Sequence, residues 1–198
     1  MKLKEYKLWL EKHANKEERK AYDIAEQIIY YHSNRNALNA LKEVEIFPRR
    51  KFKGIEFDLL IYLYGKSKQP THRTREDILI GVEFKETDLN KVISQAIARR
   101  EFVDYMYIAT NCRSWDVQQI FLMALFGIGW IYWDSNFVKL ILEPRRYANK
   151  VYDLIDYLIN IKLEKLVGEI TDKKIKSKMN LIENMIQRRL DEWSQQTK

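Results

Sequence analysis

Ile78-Leu79-Ile80-Gly81-Val82-Glu83-Phe84-Lys85-Glu86-Thr87 is the stretch on which the fold turns. Ile80, Val82 and Phe84 recur at the two-residue period of a strand, so they share one face, and Glu83 and Lys85 share the other. The pattern predicts a buried strand that carries an acid and a base out of its end. Just upstream, Gly54-Ile55-Glu56-Phe57-Asp58-Leu59-Leu60-Ile61-Tyr62-Leu63-Tyr64 predicts a second strand with Asp58 inside an apolar run. Burying that carboxylate without a partner would cost a few kcal/mol. A cationic species between Asp58 and Glu83 is therefore expected.

If the two strands form an antiparallel hairpin, Asp58 near the start of one lies beside Glu83 near the end of the other. Their connection, Gly65 to Arg75, contains Lys66, Lys68, Arg73 and Arg75 and no acid. At about 3.3 Å per extended residue its tip stands on the order of 20 Å from the acids, as a loop that grips a duplex or a partner. Upstream, Lys42 to Phe47 alternates as a first strand ending at Pro48. Arg49, Arg50, Lys51 and Lys53 are expected in the turn that follows, where they could hold phosphates.

Downstream, Asp88 to Phe102 predicts a helix capped by Thr87 or Asp88, with Leu89, Val92, Ile93, Ala96 and Ile97 on its apolar face. Gln95 falls on the edge of that face, and Arg99 is placed with the cations that meet nucleic acid. Tyr105 to Thr110 predicts a strand, Trp115 to Phe126 a helix capped by Ser114, and Gly127 to Trp133 a strand that pairs with Phe137 to Leu142 through the turn at Asp134. At the start of the chain, residues 3 to 31 have helical spacing, interrupted near Asn15. The expected class is α/β, a mixed central sheet flanked by helices. The core spans residues 1–146, and residues 147–198 form a helical extension with apolar stripes suited to packing, dimerisation or nucleic-acid contact.

In 198 residues there is one cysteine, which excludes internal disulfides. No apolar run reaches the roughly 18 residues needed to cross a bilayer, and the first residues lack a secretory pattern, so a cytoplasmic protein with no membrane partner is expected. The net charge of +7 favours a polyanionic partner. A Gly-rich phosphate loop, a zinc-spaced Cys/His pair and a Gly-x-Ser-x-Gly turn are all absent from the sequence.

An Asp on one strand, Glu83-Phe84-Lys85 on the next and a helix bearing Gln95 resemble the PD-(D/E)xK, or restriction-endonuclease-like, nuclease superfamily. The resemblance covers roughly Glu17 to Arg146. The Glu143-Pro144-Arg145-Arg146 segment is similar to the end of the core in some archaeal members. Phe57 stands where the family usually has Pro. The resemblance implies a restriction-endonuclease-like core, with Asp58, Glu83 and the Phe84 backbone carbonyl as ligands of Mg²⁺ or Mn²⁺. It further implies that Lys85 holds the attacking water or the phosphate, that Gln95 steadies the cluster, and that an acid of the first core helix faces the metal. Glu26 is the candidate for that acid, with Glu17 and Glu18 as alternatives. The implied activity is metal-dependent hydrolysis of phosphodiester bonds, most naturally of DNA, by an endo- or exonuclease such as a Holliday-junction resolvase, which could act as a homodimer. The alternatives are a nuclease-like fold that binds nucleic acid or protein without cutting, and a non-catalytic protein in which Asp58 and Lys85 form a buried ion pair.

Overall fold

A computed structural model describes residues 1–35, 41–52, 54–65, 77–113, 115–147 and Leu158. Six strands form one mixed sheet in sequential order: β1 Leu41–Phe52, β2 Ile55–Gly65, β3 Ile78–Lys85, β4 Tyr105–Thr110, β5 Gly129–Trp133 and β6 Val138–Leu142. The first three strands form an antiparallel meander. β3, β4 and β5 are mutually parallel, and β6 turns back antiparallel on β5. The parallel pairs need crossovers, which are supplied by helices α3 (Leu89–Arg99) and α4 (Val117–Phe126). The expected α/β class, a mixed sheet with helices, is what the chain forms.

The even-numbered positions of β3 follow the sequence pattern. Ile78, Ile80, Val82 and Phe84 pack with Leu59, Ile61 and Leu63 of β2 and with Tyr107 and Ala109 of β4. Two N-terminal helices, α1 (Leu3–His13) and α2 (Ala21–Arg35), close this face with Tyr6, Ala21, Ile24, Ala25 and Ile28, all essentially buried. The opposite face of β3 and β4 receives α3 through Leu89, Val92, Ile93 and Ala96. Gly81 lies on that second face because a Cβ there would come within 2.9 Å of the Met106 sulfur and 3.4 Å of the Phe57 ring.

The expected interruption near Asn15 is present: Ala14 and Asn15 are extended, and a single 3-10 turn, Lys16–Glu18, capped by Asn15, separates α1 from α2. Several boundaries differ from the sequence reading, each for a local reason. β1 does not stop at Pro48. As an edge strand it tolerates a residue without an N–H, so Arg49, Arg50 and Lys51 lie in the strand and not in a turn. α3 ends at Arg99 and tightens into a 3-10 turn, Arg100–Phe102. Asp116 caps α4, its Oδ1 accepting from the Gln119 amide at 2.8 Å, in place of the expected Ser114. The basic loop carrying Lys66, Lys68, Arg73 and Arg75 lies outside the described residues, as do Lys53, Ser114 and nearly all of 147–198. Among the described residues no helix is long and apolar enough to cross a membrane.

Candidate active site

β2 and β3 pair as far as Leu59 opposite Val82. One step further, the register would place Asp58 opposite Glu83, but there the strands part. The main-chain N–H of Phe84 donates instead to Asp58 Oδ2, at 2.9 Å. The other edge of β2 breaks at the same level. Pro48 pairs with Leu59 and Arg50 with Phe57, while Arg49, at the register position of Asp58, has a φ of 46°. It is the one non-glycine residue with positive φ among those described. Such a conformation in a residue with a Cβ is costly and is often retained at functional sites. The break also lets the chain change faces. Leu59 points into the α1/α2 core, whereas Phe57, two residues earlier, lies near Gly81 and Phe102 on the α3 side.

Glu83 follows Val82 on the α3 face and is 1% exposed. Its Oε2 accepts from an Arg99 Nη on α3, while its Oε1 is buried and has no hydrogen-bond partner among the described residues. Burial, with the Asp58 charge beside it, pushes the Glu83 carboxyl up to about 9, against the opposing pull of Arg99. Asp58 is also raised by burial. The Phe84 N–H and the Arg99 charge oppose that shift, and the charge of Glu18 adds to it.

Lys85 shares a strand face with Glu83 by period, and among the described residues it forms no ion pair with Asp58, the contact that the non-catalytic alternative requires. Its Nζ meets Glu17 Oε1 at 2.6 Å, and this bond raises the Lys85 pKa above the usual lysine value. Of the three N-terminal acids considered, Glu17 pairs with Lys85, and Glu18 is buried and pairs with Arg49. Glu26, the first candidate, is exposed on α2, because Ile24, Ala25 and Ile28 take the inward positions of that helix.

Glu18 is 3% exposed and is held from three sides. Asn15 and Glu18 form a capping box, with the Asn15 N–H donating to Glu18 Oε2 and the Glu18 N–H to Asn15 Oδ1, each at 3.0 Å. Arg49 completes the grip, its Nη2 2.5 Å from Oε2 and its Nε 3.2 Å from Oε1. The pattern Asn15-x-x-Glu18 was the sequence signal that could have located this acid. Tyr6, fully buried in the core, turns its hydroxyl into the same region. That oxygen has no hydrogen-bond partner, and burial and the charges of Glu18 and Asp58 raise its pKa.

Gln95 is half-buried on α3, one turn before Arg99, but its amide makes no hydrogen bond among the described residues. Of the cations expected to meet phosphates, Arg99 is turned inward to Glu83. Arg49 is turned to Glu18 and the His13 carbonyl, stacked over Trp9. Lys51 is exposed and pairs with Glu56 at 3.3 Å, and Arg50 is half-buried in β1, with its Nε buried and unpartnered.

These residues meet the first requirements of a divalent-cation site. Two carboxylates stand at adjacent strand positions and one of their oxygens is buried without a partner, an arrangement that native proteins seldom leave unexplained. Among the described residues no three His, Cys, Asp or Glu side chains converge as a metal-binding group. The side-chain donors there are two carboxylates only, and a hard cation held by so few would keep several waters, as Mg²⁺ does. Comparison of the chain with protein-family models, with curated proteins and with solved structures returns no match.

Proposed function

We propose that the chain is a nuclease of the PD-(D/E)xK type, a divalent-metal-dependent hydrolase of phosphodiester bonds in nucleic acid, most naturally DNA, built on a restriction-endonuclease-like core and working in the cytoplasm. The observation that carries this reading is the Asp58–Glu83 pair. An acid 1% exposed, with an orphaned oxygen and a second carboxylate beside it, is expensive to keep unless a cation is to be bound there.

Asp58, Glu83 and the Phe84 carbonyl would hold Mg²⁺ or Mn²⁺. When bound, such an ion makes a water a better nucleophile and neutralises charge on the phosphate oxygens. The chain's own residues do the rest. Lys85 remains cationic at neutral pH and sits at the mouth of the site, 23% exposed, where it orients the attacking water or stabilises the crowded phosphate. A positioned charge of this kind is commonly worth about 3 kcal/mol of transition-state stabilisation. Glu17 fixes Lys85 through their 2.6 Å bond. Gln95, free on the α3 face, is available to the substrate phosphate.

A second reading is a nuclease-like binding module without catalysis. It is favoured by Arg99, which already supplies Glu83 with a cation. Cleavage of a labelled panel of linear duplex, single strand, four-way junction and RNA, with Mg²⁺, Mn²⁺ or chelator, separates the two. Metal-dependent cutting lost in both Asp58→Ala and Lys85→Ala supports the nuclease. Binding of nucleic acid with no cutting of any substrate and no divalent-metal binding supports the module.

A further inference from the structure

Glu17, Glu18 and Glu83 each have a side-chain cation of their own: Lys85, Arg49 and Arg99. Among the described residues Asp58 has none at bonding distance and is met by a main-chain N–H. Three of the four acids are thus matched by the chain's own cations, and the cation nearest the Asp58–Glu83 pair is the Arg99 guanidinium. It contacts Glu83 directly and its charge is felt at Asp58. Arg99 and a divalent cation therefore compete for the same carboxylate charge. The Arg99 side chain is 14% exposed, so it is not sealed in. It sits on the last turn of α3.

We propose that Arg99 is an exchangeable counter-ion. It holds Glu83 while the site lacks a divalent cation, and it is released when the cation binds, becoming a ligand for a phosphate of the incoming nucleic acid. This rests on the nuclease reading of the same acids and adds a property to it, namely that cation binding and nucleic-acid binding are coupled. The coupling has a definite sign. Cation binding frees a guanidinium, so each ligand raises the affinity for the other by the same factor, as linkage requires. A ligand shifts an equilibrium only by its differential affinity for the two states, and here the difference is one Arg–Glu contact made in one state and broken in the other.

The test uses the full chain. Mn²⁺ affinity is measured by calorimetry and by electron paramagnetic resonance on the wild type, Arg99→Gln and Arg99→Lys. Binding of a fluorescent duplex is measured by anisotropy in Ca²⁺ and in chelator. Arg99→Gln is expected to bind Mn²⁺ about tenfold more tightly and to lose most of the Ca²⁺-dependent gain in duplex affinity, about tenfold in the wild type, in the usual range of such couplings. Arg99→Lys, which keeps the charge, should retain the competition. The guanidinium Nε–Hε resonance of Arg99 in the wild type, assigned with the variants or through its neighbours, should shift on adding Ca²⁺ and again on adding duplex.

Unchanged or weaker Mn²⁺ binding in a folded Arg99→Gln would overturn the exchange while leaving the nuclease reading intact. So would a guanidinium signal indifferent to Ca²⁺, a result that does not depend on any variant folding. Wild type that binds no Mn²⁺ would sink both. Cutting of no substrate, together with the expected Mn²⁺ and duplex results, would retain the exchange and remove the catalysis.

Discussion

The two ends of β3 both bury charge, and they handle it in opposite ways. At its start, Asp104 is 2% exposed and every oxygen has a partner. Oδ2 accepts from the Leu79 N–H at 2.9 Å and Oδ1 faces Arg146 at 3.4 Å. Arg100 beside it donates to the carbonyls of Val103, Asp104, Phe126 and Arg145, with its guanidinium over the Tyr147 ring. At the other end, Glu83 is as deeply buried, yet one oxygen has no hydrogen-bond partner among the described residues, a second carboxylate lies beside it, and β1, on the far side of β2, carries a left-handed Arg49. A satisfied buried network fixes a structure, whereas a half-satisfied one costs stability and is retained where it serves binding or chemistry. Burial alone does not separate these cases. The unspent hydrogen-bonding capacity does.

The contrast breaks if substitutions at the two ends behave alike. Asp58→Asn keeps an acceptor for the Phe84 N–H but removes the carboxylate charge beside Glu83. It should lower metal-dependent cleavage by about a thousandfold or more, a loss of about 4 kcal/mol, while leaving the melting temperature unchanged or slightly higher. Steady-state kinetics beside a thermal melt would check both halves, and a strongly destabilised Asp58→Asn would make the acid pair structural. At the opposite end, Asp104→Ala leaves the Leu79 N–H unpaired and Arg146 without its acid. Arg146 is half exposed and water can solvate it, so the cost comes mainly from the unsatisfied buried N–H, about 1–3 kcal/mol, which urea unfolding would show, with the rate per folded molecule little changed.

A third point of comparison lies on α2, where His32 is buried against Tyr107, its Nε2 2.8 Å from the hydroxyl. Burial lowers its pKa to about 4. Between about 6.5, its usual value, and 4 the unfolded chain binds a proton that the folded chain refuses, so stability falls as pH falls through that window. The limiting slope for one group is about 1.4 kcal/mol per pH unit. His32→Gln, which keeps a partner for Tyr107, should flatten the acid side of a plot of melting temperature against pH. An unchanged slope would assign the acid sensitivity to other groups.

The strands were legible because their periods are strict. Ile80, Val82 and Phe84 do share a core face, and Tyr105 to Thr110 is β4 in full. The relation of Asp58 to Glu83 followed from hairpin register. Side-chain pairing was harder to read, because period fixes the face of a residue but not the reach of a long side chain. Lys85 leans off the end of its strand to Glu17, and Arg99 leans off the end of its helix to Glu83. The basic run from Arg49 looked like a turn because Pro48 precedes it, yet an edge strand accepts Pro and runs on. Glu26 lies on a turn beside Tyr22 and Tyr30, close to the apolar face of α2, but a helix advances about 100° per residue, and that rotation carries Glu26 clear of Ile24 and Ala25, to the solvent side.

That last difference gives the smallest of the expected effects and the finest cut between the acids. Glu17→Gln leaves the fold intact, since the residue is partly exposed and its loss frees a lysine that water can solvate. A lone exposed pair of this kind contributes at most about 1 kcal/mol to stability, so the melting temperature should barely move. Cleavage should fall by about tenfold, because Lys85 loses the partner that fixes its direction, and the loss should appear in kcat more than in KM if Lys85 acts on the transition state. Glu26→Gln, on the exposed side of α2, should change neither number. Equal losses from the two substitutions would mean that net negative charge near the site matters more than the Glu17–Lys85 contact. A loss from Glu26→Gln alone would return the role to the acid that sequence periodicity first suggested.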